Sequence, residues 1–229
     1  GSLTQSSGTL SGSGTVTVTG LASFTAAGNY MVETGSGTTE LQGGGVLSSG
    51  FLALDGGRKL LNEGIFNWTG GSLIYLGQNP TGTSVGGATI INALGATFND
   101  AVAGTINNGS GTNAFNNAGT FQTSFASGTT TIGVTFNNTG SVQVGTGGTL
   151  NLSGGGTSTG GSFTGGGTLQ FSSGYTFDAA STISTANAIF SAGTTTLAGT
   201  YSATNTTLSG GTLTTGSSPI TLGTNFTHA

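Results

Sequence analysis

The ten residues Ala114-Phe-Asn-Asn-Ala-Gly-Thr-Phe-Gln-Thr123 return, position for position, as Thr135-Phe-Asn-Asn-Thr-Gly-Ser-Val-Gln-Val144. A short unit of this kind cannot enclose its own apolar side. It buries that side against the next copy, so the chain is expected to stack similar coils into a rod. Aligned on its glycine, Lys59-Leu-Leu-Asn-Glu-Gly-Ile-Phe-Asn-Trp68 sets Leu60, Asn62, Gly64, Phe66 and Trp68 over Phe136, Asn138, Gly140, Val142 and Val144. A looser copy, Thr97-Phe-Asn-Asp-Ala-Val-Ala-Gly-Thr-Ile106, carries two extra residues before its glycine. The leading apolar positions then read as Leu60, Phe98, Phe115 and Phe136, with steps of 38, 17 and 21. The first step is expected to span two coils, the one near Val85 to Ile91 being degenerate. Further on, Gly-Thr-Leu units place threonines at Thr149, Thr168 and Thr212, with a variant at Thr196, in steps of 19, 28 and 16.

Composition separates a packed rod from a flexible tract. Forty-seven glycines in 229 residues with 3% charged side chains would suit a disordered linker if apolar residues were missing, but they make up 33%. They also alternate: Val16 and Val18, Leu52 and Leu54, Phe66 and Trp68, Val142 and Val144, Leu150 and Leu152, Leu169 and Phe171. Period two is the strand signature, and no helical apolar stripe competes with it. Glycine, serine and asparagine fall between these runs, where turns need them.

Short strands in coils of about 20 residues predict an all-β fold, a parallel single-stranded β-solenoid in which each strand pairs with its equivalent one coil away. At a strand spacing of about 4.8 Å, about eleven coils give a rod on the order of 50 Å long. Asn62, Asn117 and Asn138 share one coil position and are expected to stack as an amide ladder inside a turn. A β-sandwich is the competing architecture, and it requires antiparallel hairpins. The whole chain, 1–229, reads as one rod. Without visible amphipathic caps it is expected to be a stretch of a longer repetitive protein.

The Phe-Asn-Asn-x-Gly-Thr/Ser-Val/Phe pattern resembles the repeats of filamentous haemagglutinin-like and autotransporter passenger proteins of bacteria. So do the runs Leu61-Asn-Glu-Gly-Ile-Phe-Asn-Trp-Thr-Gly-Gly71 and Gly147-Gly-Thr-Leu-Asn-Leu-Ser-Gly-Gly155. The resemblance covers roughly residues 45–215 and is one of repeat style. It implies a right-handed β-helix, a secreted or cell-surface location, and an adhesive or stalk role. It brings no catalytic residues with it.

Charge narrows the partners. Arg58 and Lys59 are the only basic side chains and the net charge is −4, so no basic stripe exists to neutralise phosphates. Nucleic acid is excluded on this ground, and the same shortage argues against anionic membrane surfaces and acidic polysaccharide as charge-matched partners. No apolar run approaches the roughly 18 residues of a membrane span. Cysteine is absent, so neither a disulfide framework nor a thiol site is available.

Many β-helices act on polysaccharides, and glycoside hydrolysis needs two carboxylates about 5–9.5 Å apart. The acids are Glu33, Glu40, Asp55, Glu63, Asp100 and Asp178. Asp55 with Glu63 is nearest in register and Glu33 and Glu40 are seven apart, but neither pair has the coil spacing, although Glu40 and Asp55, 15 apart, could approach if a coil is short. The lone histidine, His228, stands one residue from the end of the chain, a poor place for a Ser-His-acid site. Metal sites fail on ligand count, and Gly154–Gly156 and Gly165–Gly167 lack the lysine and helix of a phosphate loop, so they read as turns. Six Asn-x-Ser/Thr sequons match what the composition alone would generate. Trp68 is the obvious sugar-stacking aromatic, yet its alignment with Val144 places it inside. Tyr75, Tyr175 and Tyr201 are less constrained.

The expectation is a protein without catalytic residues, cofactor or metal: a structural stalk or adhesive segment, extracellular or at the cell surface. Its partners are neighbouring solenoid segments, further copies end to end, or surface glycans. The alternatives are a carbohydrate-active or carbohydrate-binding β-helix built around Glu40, Asp55 and Glu63, and an ice-binding solenoid displaying Thr15, Thr17, Thr19 and Thr129–Thr131. Irregular threonine steps count against the latter.

Overall fold

The computed structural model describes residues 1–216 and 220–229. The chain is an all-β parallel solenoid of about eleven turns, with coils of about 21 residues and no helix among the described residues. Every strand pairing is parallel, which excludes the hairpins a sandwich requires.

Each coil has three sides. The first is a ten-stranded sheet whose strands include Thr15–Val18, Thr38–Leu41, Arg58–Asn62, Ala88–Asn92, Asn113–Asn117 and Thr135–Asn138. The second carries Ile65–Trp68, Thr97–Asp100, Thr120–Thr123 and Ser141–Val144. The third carries Leu73–Leu76, Thr105–Asn108, Gly128–Ile132 and Gly148–Leu152. Four longer strands, Ala22–Thr34, Gly45–Leu54, Ser162–Phe171 and Thr182–Phe190, round the corner between the second and third sides without a break, so the two sides count as one 17-stranded sheet.

Alternation along each strand fills the interior. On the second side Phe66, Phe98 and Phe121 lie one above another, with ring centroids 4.9 and 5.7 Å apart and planes within 13°. Phe115 and Phe136 face them from the first side, and Phe98 and Phe115 meet edge to face at 5.1 Å. Met31, Leu52, Ile74, Ile106, Ile132, Leu152 and Phe171 run down the third. All are fully buried. At about 1.5–3 kcal/mol for each large apolar side chain removed from water, these columns dominate the stability of the stack.

Asparagine ties the corner between the first and second sides. Asn62 Nδ2 donates to Asn92 Oδ1 at 2.8 Å, Asn92 to Asn117 at 2.7 Å, and Asn117 to Asn138 at 2.8 Å. At two of the two-residue corners the same side chain also accepts from the glycine N–H two positions on, at Gly64 and Gly140. Glycine is needed there because the coils touch through backbone: a Cβ on Gly140 would run into the carbonyl oxygens of Ala118 and Gly119.

The register Leu60, Asn62, Phe66, Trp68 over Phe136, Asn138, Val142, Val144 is the observed one. Two expectations fail. Phe98 does not lead a coil: it lies on the second side between Phe66 and Phe121, and Ile90 occupies the leading column between Leu60 and Phe115. There is accordingly no extra degenerate coil. Asn62 and Asn92 are 30 residues apart because this coil bulges out through a loop after Leu76, and Asn92 and Asn117 are 25 apart. The Gly-Thr-Leu units likewise do not share one column. Thr149 pairs with Thr168 on the third side, whereas Thr196 and Thr212 belong to the first and stand in different columns.

Candidate functional site

The acids are dispersed by the coil, and four of the six are absorbed by local structure. Asp55 closes the corner between the third and first sides, fully buried, and accepts from Val85 N–H at 2.8 Å and Gly86 N–H at 2.7 Å. Asp100 points inward beneath Trp68 in register and accepts from Val102 N–H, Gly104 N–H and the Thr130 hydroxyl. Burial raises its carboxyl above the usual range against the pull of those donors. Asp178 receives the Ser181 hydroxyl at 2.6 Å and Gly160 N–H at 3.0 Å, and these bonds, the Gly160 one first, hold it below the usual range.

Glu33 takes a core position in the column of Leu10 and Leu54. Its Oε2 meets Arg58 Nε at 3.3 Å and accepts from the Thr39 hydroxyl, while Arg58 Nη2 donates to Thr39 Oγ1 at 2.6 Å. Glu33 Oε1 is buried without a partner. Desolvation pushes the Glu33 carboxyl up, with Thr39 and Arg58 opposing. One of the two cations of the chain is thus spent inside the rod. The cluster is sealed, since Glu33, Thr39 and Arg58 are at most 1% exposed.

Glu40 and Glu63 join Asp178 as carboxylates at the surface, and these two are not tied into a corner. Glu40 points outward from the first side and accepts from the Thr17 hydroxyl at 2.7 Å, the main reason its carboxyl sits below the usual range, with smaller contributions from Gln42 and Glu63. Asp55 is therefore not the partner of either: its oxygens face the loop at another corner. The proposed threonine faces are interrupted as well, because Thr130 turns inward to Asp100 and the outward column through Thr17 continues as Glu40, Leu61 and Ile91.

The aromatics divide cleanly. Trp68 is fully buried, its indole N–H bound to Gly71 O at 2.7 Å, and a Cβ on Gly104 would run into its ring. Tyr175 and Tyr201 are buried too, each with its hydroxyl bonded within the rod. Tyr75 is different: it projects outward from the third side into a cluster with Tyr30 and Phe51. The sequence reading missed Tyr30 and Phe51. Tyr30-Met-Val32 and Phe51-Leu-Ala-Leu54 are continuously apolar, so no alternation marks which of their side chains face outward. A shallow groove of about 310 Å³ opens at the corner between the second and third sides, against Gln122, Gln143, Thr146 and Gly166, and no titratable side chain lines it.

Outward positions elsewhere form ladders of neutral polar groups. Asn67, Asn99, Gln122 and Gln143 align on the second side, Asn187, Asn205 and Asn225 on the third. Apart from Gln143 their amides are bonded coil to coil, at 3.2 Å for Asn99 to Asn67 and for Gln122 to Asn99 and 2.9 Å for Asn205 to Asn187. Among the described residues no group of three or more His, Cys, Asp or Glu side chains lies together. Comparison with known proteins found no matching protein family, no similar curated protein and no similar solved structure.

Proposed function

We propose that this chain is a non-catalytic stalk or adhesive segment of a secreted bacterial cell-surface protein. The observation that carries the reading is the use made of its charged groups: Glu33, Asp55, Asp100, Asp178 and Arg58 are all bound into the framework. Among what the rod offers outward are neutral amide ladders on its second and third sides, repeated from coil to coil. Single contacts with such ladders are weak, and many in parallel give avidity set by geometry. Coil-on-coil backbone bonding supplies the stiffness a stalk needs. The repeat style shared with filamentous haemagglutinin-like and autotransporter passenger proteins points the same way. Mass spectrometry of surface-released and intracellular fractions of the source cells tests the proposal. Peptides of this segment are expected in the surface fraction; their confinement to the intracellular fraction would overturn it.

A further inference from the structure

Tyr30, Phe51 and Tyr75 come from three successive coils and meet on the outside of the third side. Tyr30 lies in register with Phe51, and Tyr75 with Ala53. Ring centroids are 5.2 Å apart for Tyr30 and Phe51, 6.1 Å for Tyr30 and Tyr75, and 6.4 Å for Phe51 and Tyr75. Beneath them are Val32 and Ala53, which alternation places outward between the inward Met31 and Glu33, and Leu52 and Leu54. Outward side chains of a solenoid face water, yet Val32 and Ala53 are 0% exposed. Tyr30 and Phe51 stand two residues before them on the same outward face, and Tyr75 follows Ala53 in their column. The rings are tilted to one another, by 34° for Tyr30 and Phe51, 59° for Tyr30 and Tyr75 and 67° for Phe51 and Tyr75, and all three remain partly exposed.

The surroundings select an occupant. No charged side chain occupies an outward position of the third side among the described residues, so a charged partner finds no counterpart. In the next coil the register passes from Leu73 to Thr105 and from Tyr75 to Asn107, and Thr105 then aligns with Thr131. An apolar strip thus runs into a neutral polar one along the rod axis. The apolar area is small: aromatic side chains carry about 150–250 Å² each, and three half-buried ones fall short of the roughly 800 Å² per partner of a stable protein interface. A pyranose chain needs no more than this. Its C–H faces cover a ring apiece, and its hydroxyls bond to phenol, hydroxyl and amide groups at the edge.

We propose that Tyr30, Phe51 and Tyr75 form a stacking site for a neutral, unbranched glycan that continues along Thr105 and Asn107. The proposal rests on the adhesive reading above and names its ligand class. The test is affinity electrophoresis of the whole segment through gels containing a soluble β-glucan, an α-mannan or dextran. The comparison is with Tyr30→Leu/Tyr75→Leu, which keeps an apolar side chain at each position but removes two aromatic rings. The wild-type segment is expected to be retarded by at least one polysaccharide, and the variant, with unchanged circular dichroism and thermal midpoint, to bind about tenfold more weakly. Saturation transfer from the aromatic ring protons to the same polysaccharide checks the contact without any substitution. Retardation in none of the gels, or equal retardation of both proteins, overturns the site. A concentration-dependent dimer that the variant loses would assign the patch to a second copy and equally overturn it. Surface location of the native polypeptide is measured separately, so the stacking site can fail while the stalk reading stands.

Discussion

Asn92 donates its side-chain amide to Asn117 across 25 residues of sequence at 2.7 Å, and both side chains are buried in the same corner of adjacent coils. Asn117 then donates to Asn138 and to the carbonyls of Gly119 and Ser141. Replacing Asn117 by alanine cuts the ladder in its middle. It removes the acceptor of the buried Asn92 amide and one donor from Asn138 Oδ1, which keeps only the Gly140 N–H, at about 1–3 kcal/mol for each buried group left unsatisfied. The outward neighbour Asn137 makes an equivalent coil-to-coil bond to Asn116 at 2.9 Å, but half-exposed. Asn137→Ala is therefore expected to cost about 0.5–1.5 kcal/mol. Urea unfolding of the two variants, compared at constant slope, separates a buried ladder from a surface one.

Three rungs of that ladder were legible as Asn62, Asn117 and Asn138, because each is followed by one residue and a glycine. Asn92 was not. Its corner runs Ala93-Leu-Gly-Ala96, two residues longer than the corners after Asn117 and Asn138, and this shifts every glycine-based alignment. Phe98 looks like a leading residue because Thr97-Phe-Asn-Asp copies the Thr135-Phe-Asn-Asn that forms a first-side strand. Period two tells which side chains point inward; it does not tell which of three sides a strand occupies, because all three bury the same kinds of residue. The drift in period has the same origin, since coils differ in their corners while their strands stay in register.

Glu33 and Arg58 were equally opaque, because nothing in Met31-Val-Glu-Thr34 distinguishes an inward glutamate from a surface one. Their burial makes stability depend on pH. The Glu33 carboxyl is raised above its ordinary 4.5, mainly by desolvation, so the folded chain holds this proton more tightly than the unfolded one. Its contribution is fully present below 4.5 and is lost as pH rises through the folded value. Asp100, raised from 3.8, has the same sign. Glu40 and Asp178 are lowered and exposed, so their contributions are lost only as pH falls through their lowered values. Thermal midpoints are expected to decline from about pH 4.5 toward neutrality, and Glu33→Gln to flatten that decline; identical slopes would rule the assignment out. Exchanging both partners, Glu33→Leu with Arg58→Met, refills a column already occupied by Leu10 and Leu54 and is expected to be neutral or stabilising by about 1–4 kcal/mol.

Tyr75 shows how much of the surface could be read. Trp68 and Tyr75 both follow an alternating run, and the register of the repeat correctly sent Trp68 inside. No repeat partner of Tyr75 was recognised in sequence, since the copy bearing Asn107 is polar at that position. The cluster with Tyr30 and Phe51 depends on three coils whose second-to-third corners differ: Ala22–Thr34 and Gly45–Leu54 run through theirs as continuous strands, with register shifts between Phe24 and Tyr30. A corner that changes by a few residues moves an aromatic from one column to the next. Such local geometry is invisible to any fixed period.

Asp55 supplies the sharpest test of how the rod tolerates its longest excursion. The loop after Leu76 is pinned through Val85 N–H and Gly86 N–H to the two carboxylate oxygens of one buried side chain, while the Val85 side chain itself is 76% exposed. Flanking strands keep their own pairings, Leu73–Leu76 with Thr105–Asn108 and Ala88–Asn92 with both Arg58–Asn62 and Asn113–Asn117. Removing the carboxylate should free the loop and leave the stack standing. Asp55→Ala is expected to abolish hydrogen-exchange protection at Val85 and Gly86, to make the loop the first site of limited proteolysis, and to spare protection at Ile90 and Ile106. Asp55→Asn is expected to fall between, because an amide has one acceptor oxygen for two N–H donors. Loss of protection throughout the neighbouring coils would instead make Asp55 a support of the whole stack, and equal protection in all three proteins would show that backbone contacts alone hold the loop.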